Sequence, residues 1–77
     1  MQLILNLQSG RKITVDYQPN DLVENLVQKA AEVSIIDVTQ INLIYEGRRL
    51  DVKSTIDSCN LRENSNIQVM NVVEAGN

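Results

Sequence analysis

The stretch NDLVENLVQKAAEVS, residues 20–34, is the one segment of this sequence with a clear helical period. Its apolar side chains recur three and four positions apart, at Val23, Leu26, Val27, Ala30 and Val33. Asp21 precedes them as a candidate N-cap, and Glu24 stands three positions further on, where a capping box needs it. The pattern predicts one amphipathic helix, too short to be stable alone and therefore held by tertiary packing.

On both sides of this helix, apolar residues alternate with polar ones, as in half-buried strands. Strands are predicted at 1–8, 12–18, 41–45, 48–50 and 67–73. Gly10 favours a hairpin turn, Pro19 ends the second strand, and residues 64–66 form a turn cluster. Residues 51–60 do not alternate, and Ile56 is expected to anchor them. This order predicts an α+β domain, a mixed five-stranded sheet packed on one helix, whose first and last strands pair in parallel.

The alternation also divides the strands into two faces. One apolar set is predicted to face the helix: Leu3, Leu5, Ile13, Val15, Ile41, Leu43, Ile67 and Val69. Ile4, Ile44 and Met70 then project from the outer face toward water. Ile4 is typical of the single apolar residues found on any protein surface. Ile44 with Met70, on neighbouring strands, instead indicates a surface that binds a partner.

Length and charge limit the function classes. The chain has 77 residues and a net charge of −3, which predicts one domain without the basic patch that nucleic acid or an anionic membrane requires. Cys59 is the single cysteine, so no internal disulfide can form and a reducing compartment is favoured. No apolar run has the length of a membrane span and no signal-peptide pattern opens the chain. We expect a soluble protein of the cytoplasm or nucleus.

A search for catalytic chemistry finds no candidate. The sequence has no histidine, so Cys59 has no imidazole partner and is interpreted as a structural thiol. The glycines lack the spacing of a phosphate-binding loop, and the carboxylates stand singly rather than in pairs or metal-binding clusters. We therefore expect a protein that is not an enzyme and that uses no metal or cofactor.

Together these residues resemble the ubiquitin family over essentially the whole chain, without insertion or deletion. The match opens with Met1-Gln2-Leu3, and the segment LIYEGRRL, residues 43–50, is its most specific part. Other matching positions are Gly10, Ile13, Thr14, Pro19, Asp21, Glu24, Asn25, Lys29, Ile36, Gln40, Thr55, Asn60, Glu63, Asn64 and Ser65. The resemblance implies the β-grasp fold, with residues 1–73 as the domain and 74–77 as a flexible tail. It is strongest with ubiquitin-like domains that are built into larger proteins.

The resemblance also implies a recognition surface on the outer sheet face, at Gln8, Ile44, Gln68 and Met70. Ile44 and Met70 would be its apolar anchors, and the two glutamines would be a rim that alters specificity. Arg48, together with Arg49, would form a charged edge that attracts acidic partners. The implied partners are ubiquitin-receptor domains and proteasome or chaperone components, bound by a monomer.

An alternative is a divergent covalent modifier. Family modifiers end in two glycines after an arginine-containing arm, whereas this chain ends VVEAGN, residues 72–77. Removal of Asn77 would leave Gly76 as the conjugation terminus, preceded by Ala75. Lys29 is the lysine that matches a family linkage position and is the candidate acceptor. A third interpretation is a β-grasp scaffold for an assembly unrelated to ubiquitin.

Overall fold

The computed structural model describes residues 1–71, which form five strands, one α-helix and two short 3₁₀ turns. The strands and helix are, in chain order, β1 (Gln2–Asn6), β2 (Lys12–Asp16), α1 (Val23–Ser34), β3 (Ile41–Tyr45), β4 (Arg48–Arg49) and β5 (Ser65–Asn71). The 3₁₀ turns span Val38–Gln40 and Asp57–Cys59. No helix within residues 1–71 has the length and apolar character needed to cross a bilayer.

The strands form one sheet in the order β2-β1-β5-β3-β4. β1 pairs with β5 in parallel, and every other neighbouring pair is antiparallel. The parallel pair lies in the interior of the sheet, where Leu5 is opposite Ile67. This arrangement confirms the predicted α+β class and the β-grasp order of elements.

The helix and the inner sheet face enclose a single core. Its buried apolar members are Leu3, Leu5, Leu7, Val15, Val23, Leu26, Val27, Ala30, Ile41, Leu43, Leu50, Ile56, Leu61, Ile67 and Val69. The predicted inward set is therefore confirmed, although Ile13, on the edge strand, packs against the core while only half-buried. Ile56 is fully buried, so the non-alternating segment is anchored as expected.

The start of the helix differs from the prediction. α1 begins at Val23, one residue later than an N-cap at Asp21 predicts, and Leu22 occupies the N-cap position without a side-chain hydrogen bond. The Asp21 carboxylate instead accepts from the backbone N–H of Gln18, at 2.8 Å, and so stabilises the turn before the helix. The predicted role of Asp21 as N-cap is wrong because the chain bends once more before the helix begins.

Backbone carbonyls of the 51–55 segment replace the missing cap. The N–H of Val23 donates to the carbonyl of Ser54 at 2.8 Å, and that of Glu24 to the carbonyl of Val52 at 3.1 Å. The first turn of a helix has unpaired N–H groups that need such acceptors. The helix therefore begins where a distant segment supplies carbonyls, a contact that local sequence does not reveal.

The helix ends without a glycine. Ile35 takes the left-handed conformation at the C-cap, with φ 60° and ψ 30°, and its N–H donates to the carbonyl of Ala31 at 3.2 Å. The side chain is 96% exposed. Glycine is the usual residue at such a position because it has no Cβ to clash.

Other predicted strand boundaries change as well: β1 spans Gln2–Asn6 rather than 1–8, and β4 ends at Arg49 rather than at residue 50. β5 begins at Ser65, so the predicted turn cluster 64–66 is wrong in part: Asn64, with φ 64°, belongs to the turn, and the next two residues belong to the strand. β2 ends at Asp16 rather than at residue 18. The end of the predicted last strand, the domain boundary at 73 and the tail 74–77 lie outside the described residues.

Candidate partner-binding surface

The outer face of the sheet brings the predicted anchors together. In the β3–β5 register, Ile44 is directly opposite Gln68, and Met70 is opposite Asn42. Residues opposite each other in antiparallel strands project from the same face, and diagonal neighbours lie within reach of long side chains. Ile44, Gln68 and Met70 therefore form one continuous surface, which we call the outer-face patch.

The two apolar members of the outer-face patch differ in exposure. Met70 is 40% exposed, whereas Ile44 is half-buried and presents only part of its side chain to solvent. Ile4 is also half-buried, but its register partners are Thr14 on β2 and Asn66 on β5, so one strand separates it from Ile44. The outer-face patch is thus a small apolar area made by β3 and β5, without Ile4.

Gln68 is held down against the sheet. Its Nε2 donates to the carbonyl of Asn6 on β1, at 3.2 Å, and to the carbonyl of Val69, at 3.3 Å. Both amide hydrogens are used in this way, so the side chain presents its oxygen as an acceptor. A partner that contacts Gln68 would therefore need to supply a donor.

The two arginines of β4 occupy different positions. Arg49 is opposite Ile44, and Arg48 is opposite Tyr45, whose ring packs partly against the core. Arg49 is therefore the basic residue directly beside the outer-face patch, while the predicted Arg48 stands one position further along the edge. The two-residue turn 46–47 could have revealed this, because such a turn fixes which residues face each other.

Neutral carboxamides surround the apolar anchors. Asn6 donates from Nδ2 to Oδ1 of Asn66 at 3.3 Å, and Asn42 lies opposite Met70. Together with Gln68 they make the centre of the outer face uncharged. These asparagines were not predicted to be part of the surface, although their even positions on alternating strands indicate the outer face.

The remaining predicted site residues lie away from this centre. Gln8 is exposed in the β1–β2 turn, beyond the last residue of β1. Lys29 is on the helix, on the other side of the sheet, and its Nζ is 4.0 Å from Oε1 of Glu32. Gly76 lies outside the described residues. Within residues 1–71, no cluster of carboxylate and thiol groups could hold a metal ion, and Cys59 is a half-buried free thiol.

Comparison with known proteins agrees with this fold. Residues 3–71 match the family described as Ubiquitin family. The chain is also similar to the NEDD8-like protein RUB1 of Saccharomyces cerevisiae, with 28% identity over 69 residues that cover 90% of each protein. The family match extends from the first strand to the end of the last described strand. On this evidence the chain belongs to the ubiquitin family.

Proposed function

We propose that this chain is a non-enzymatic ubiquitin-like domain that docks proteins of the ubiquitin–proteasome or chaperone system through its outer-face patch. One observation carries the proposal: Ile44 and Met70 are brought together on neighbouring strands of a face that no other described element covers. An apolar area in a polar surround is typical of a protein-binding site. The single free cysteine fits action in the cytoplasm or nucleus.

Each member has a distinct role in this proposal. Met70 is flexible and partly exposed, so it can adapt to different partner side chains. Ile44 provides a fixed contact, because its half-buried side chain packs into the sheet. Gln68 and the asparagines form a rim that accepts and donates hydrogen bonds without charge. The small apolar area favours weak, reversible binding.

Arg49 gives the proposed surface a basic edge, and Arg48 precedes it on β4, on the face of Tyr45. Both are exposed, and neither forms an ion pair with another described residue. Charges at the rim of an interface mainly raise the association rate and make it salt-dependent. Partners with an acidic border would therefore associate faster than neutral ones at low ionic strength.

The test compares two isoleucines on the same sheet face. Ile44→Ala removes an anchor of the outer-face patch, and Ile4→Ala removes a half-buried isoleucine from the same face one strand beyond it. Binding of an isolated ubiquitin-receptor domain to ¹⁵N-labelled protein is followed by chemical-shift titration. We expect Ile44→Ala to weaken binding at least about tenfold, since loss of a central anchor costs about 2 kcal/mol or more. Ile4→Ala should leave affinity within about twofold.

Equal losses for both variants would contradict the proposal, because a general loosening of the sheet would then explain them. Shift changes in wild type confined to the helix face would contradict it as well. Thermal unfolding of each variant is measured in parallel, so that loss of fold is separated from loss of contact.

The second candidate is a covalent modifier attached through Gly76. It is favoured by the similarity to a NEDD8-like protein of nearly the same length, since the 69 aligned residues cover 90% of both chains. The full chain and a form ending at Gly76 are incubated with ATP and a cell extract from the source organism. A thioester or isopeptide through Gly76, detected by mass spectrometry, would establish the modifier. Absence of any adduct, with Ile44-dependent binding retained, would leave the docking domain.

A further inference from the structure

One long edge of the sheet has unpaired backbone groups. β2 is the first strand in the sheet order and, among residues 1–71, pairs only with β1. At the two ends of this pair, Tyr17 N–H donates to the carbonyl of Met1 at 2.9 Å, and Leu7 N–H to that of Arg11 at 2.8 Å. Hydrogen-bonded and non-hydrogen-bonded pairs alternate in an antiparallel ladder. The N–H and C=O groups of the even residues of β2 therefore point away from β1, to the open edge.

The open edge carries the charged residues Lys12 and Asp16, but it has neither a proline nor a bulge to block pairing. The even residues Lys12, Thr14 and Asp16 are all exposed. β2 contains no proline, and its register with β1 runs through all five residues without a bulge. At the opposite edge, β4 has only two residues. An uncovered strand of this length is a template for pairing with another strand.

The sequence of β2, KITVD, is complementary to itself when reversed. If two copies align antiparallel with Thr14 facing Thr14, each Lys12 faces Asp16 of the other copy, and each Ile13 faces Val15. We propose that β2 pairs in this register with β2 of a second copy, which joins two sheets into one across a two-fold axis at Thr14.

The backbone supports this register specifically. It matches each outward-pointing residue with an outward-pointing residue of the other copy, so each of the three pairings exchanges two hydrogen bonds. In a register shifted by one residue, the outward-pointing N–H and C=O groups of one copy would lie opposite residues of the other copy whose own backbone groups already bond β1. A shift by two would remove the Lys12–Asp16 pairs, and parallel pairing would set Lys12 beside Lys12. Opposite charges across strands favour the pairing and like charges oppose it.

Asp16 remains available for this contact. Its Oδ1 accepts from the Met1 amine at 2.9 Å, and its side chain is 73% exposed. The second carboxylate oxygen can therefore accept from the Lys12 ammonium of the other copy. The inference departs from the monomer expected from the sequence, and it does not depend on the proposed function of the outer-face patch.

Substitution of Thr14 tests the backbone contact. Thr14→Pro removes one outward N–H while leaving the β1–β2 bonds intact, since proline is tolerated on an edge strand when its nitrogen faces solvent. Thr14→Val keeps the N–H and the branched side chain and is the matched control. Sedimentation velocity is measured from micromolar to millimolar protein. We expect wild type and Thr14→Val to associate with rising concentration, and Thr14→Pro to associate at least about tenfold more weakly.

Charge exchange tests the register. Lys12→Asp and Asp16→Lys each place like charges opposite each other in the pair, so each variant alone should remain monomeric. A one-to-one mixture restores opposite charges at both ends and should associate. Circular dichroism confirms the fold of Asp16→Lys, which also loses its bond to the Met1 amine. Wild type that stays monomeric at millimolar concentration would overturn the proposal, as would a dimer that is unaffected by Thr14→Pro or by the charge variants.

Discussion

Ile35 adopts a backbone conformation that its side chain disfavours. Its φ of 60° is left-handed, where a Cβ crowds the following carbonyl, and branching at Cβ increases the crowding. Such a conformation costs roughly 1–2 kcal/mol for a residue with a Cβ. The side chain is almost fully exposed and offsets little of this cost by packing.

Ile35→Gly should therefore raise the free energy of unfolding by about 1 kcal/mol, the relief of the left-handed conformation less the added freedom of the unfolded chain. Urea denaturation monitored by circular dichroism gives the difference. Ile35→Ala retains a Cβ and should gain much less. Equal gains from alanine and glycine would show that the left-handed backbone is not the cause.

Asp37 is a residue whose charge makes the stability of the fold depend on pH. Its Oδ1 accepts from Thr39 N–H at 2.9 Å and from the Thr39 hydroxyl at 2.7 Å. The bond from the backbone N–H, and then that from the hydroxyl, lower the pKa of Asp37 from its ordinary value of 3.8. A carboxyl with a lowered pKa in the folded state stabilises it above its ordinary pKa, and that contribution is lost as pH falls through the lowered value.

Asp37→Asn keeps an oxygen acceptor but cannot ionise. Wild type should be more stable than this variant at neutral pH, and the difference should disappear as pH falls below the ordinary value of 3.8. Denaturation curves of both proteins from pH 7 to pH 2 measure the difference in their free energies of unfolding. The contributions of the other carboxyls are the same in both proteins and cancel in this difference. A stability difference that is constant across this range would contradict the assignment.

At the scale of elements, the β3–β4 turn combines a favourable residue with an unfavourable one. Glu46 and Gly47 both have positive φ, 51° and 79°. Two-residue hairpin turns of this kind prefer asparagine followed by glycine. This turn also determines that Arg49 faces Ile44 across the strands.

Glu46→Asn should stabilise the turn by about 0.5 kcal/mol, since asparagine tolerates positive φ better than glutamate does. Glu46→Gln removes the same charge without the shorter side chain and serves as control. Thermal unfolding of both variants separates backbone preference from charge. A gain from glutamine as large as that from asparagine would assign the effect to charge instead.

For the whole molecule, periodicity predicted most of the fold, and long-range contacts decided the rest. The alternation correctly assigned Leu43 to the inner face and Ile44 to the outer face, because each strand has one buried and one solvent-facing side. The start of the helix was missed because carbonyls of Val52 and Ser54 determine it from a distance. Arg49 was placed at the edge but not paired with Ile44, since that pairing depends on turn geometry. The outer-face asparagines were missed because polar residues on a strand are typical of any solvent-exposed face and do not by themselves indicate a binding surface.

Leu43→Ala tests this division of faces through the core. Leu43 is 2% exposed, so its truncation leaves a cavity and should cost about 2–4 kcal/mol. Ile44→Ala, one residue along the same strand, should cost about 1 kcal/mol because its side chain is only half-buried. Guanidinium denaturation measures both. Similar losses of unfolding free energy for Leu43→Ala and Ile44→Ala would contradict the assignment of these two residues to opposite faces of the sheet.

The interior pairing of β1 with β5 also affects synthesis of the protein. Asn6 and Gln68, joined by a hydrogen bond across this pair, are 62 positions apart, so β5 is translated long after the β1–β2 hairpin. β3 cannot join the sheet without β5 between them. At about 5–20 residues per second, the end of β5 emerges from the ribosome roughly 3–11 seconds after the end of the hairpin. During that interval the apolar face of the hairpin is uncovered. The domain therefore completes folding only after β5 emerges.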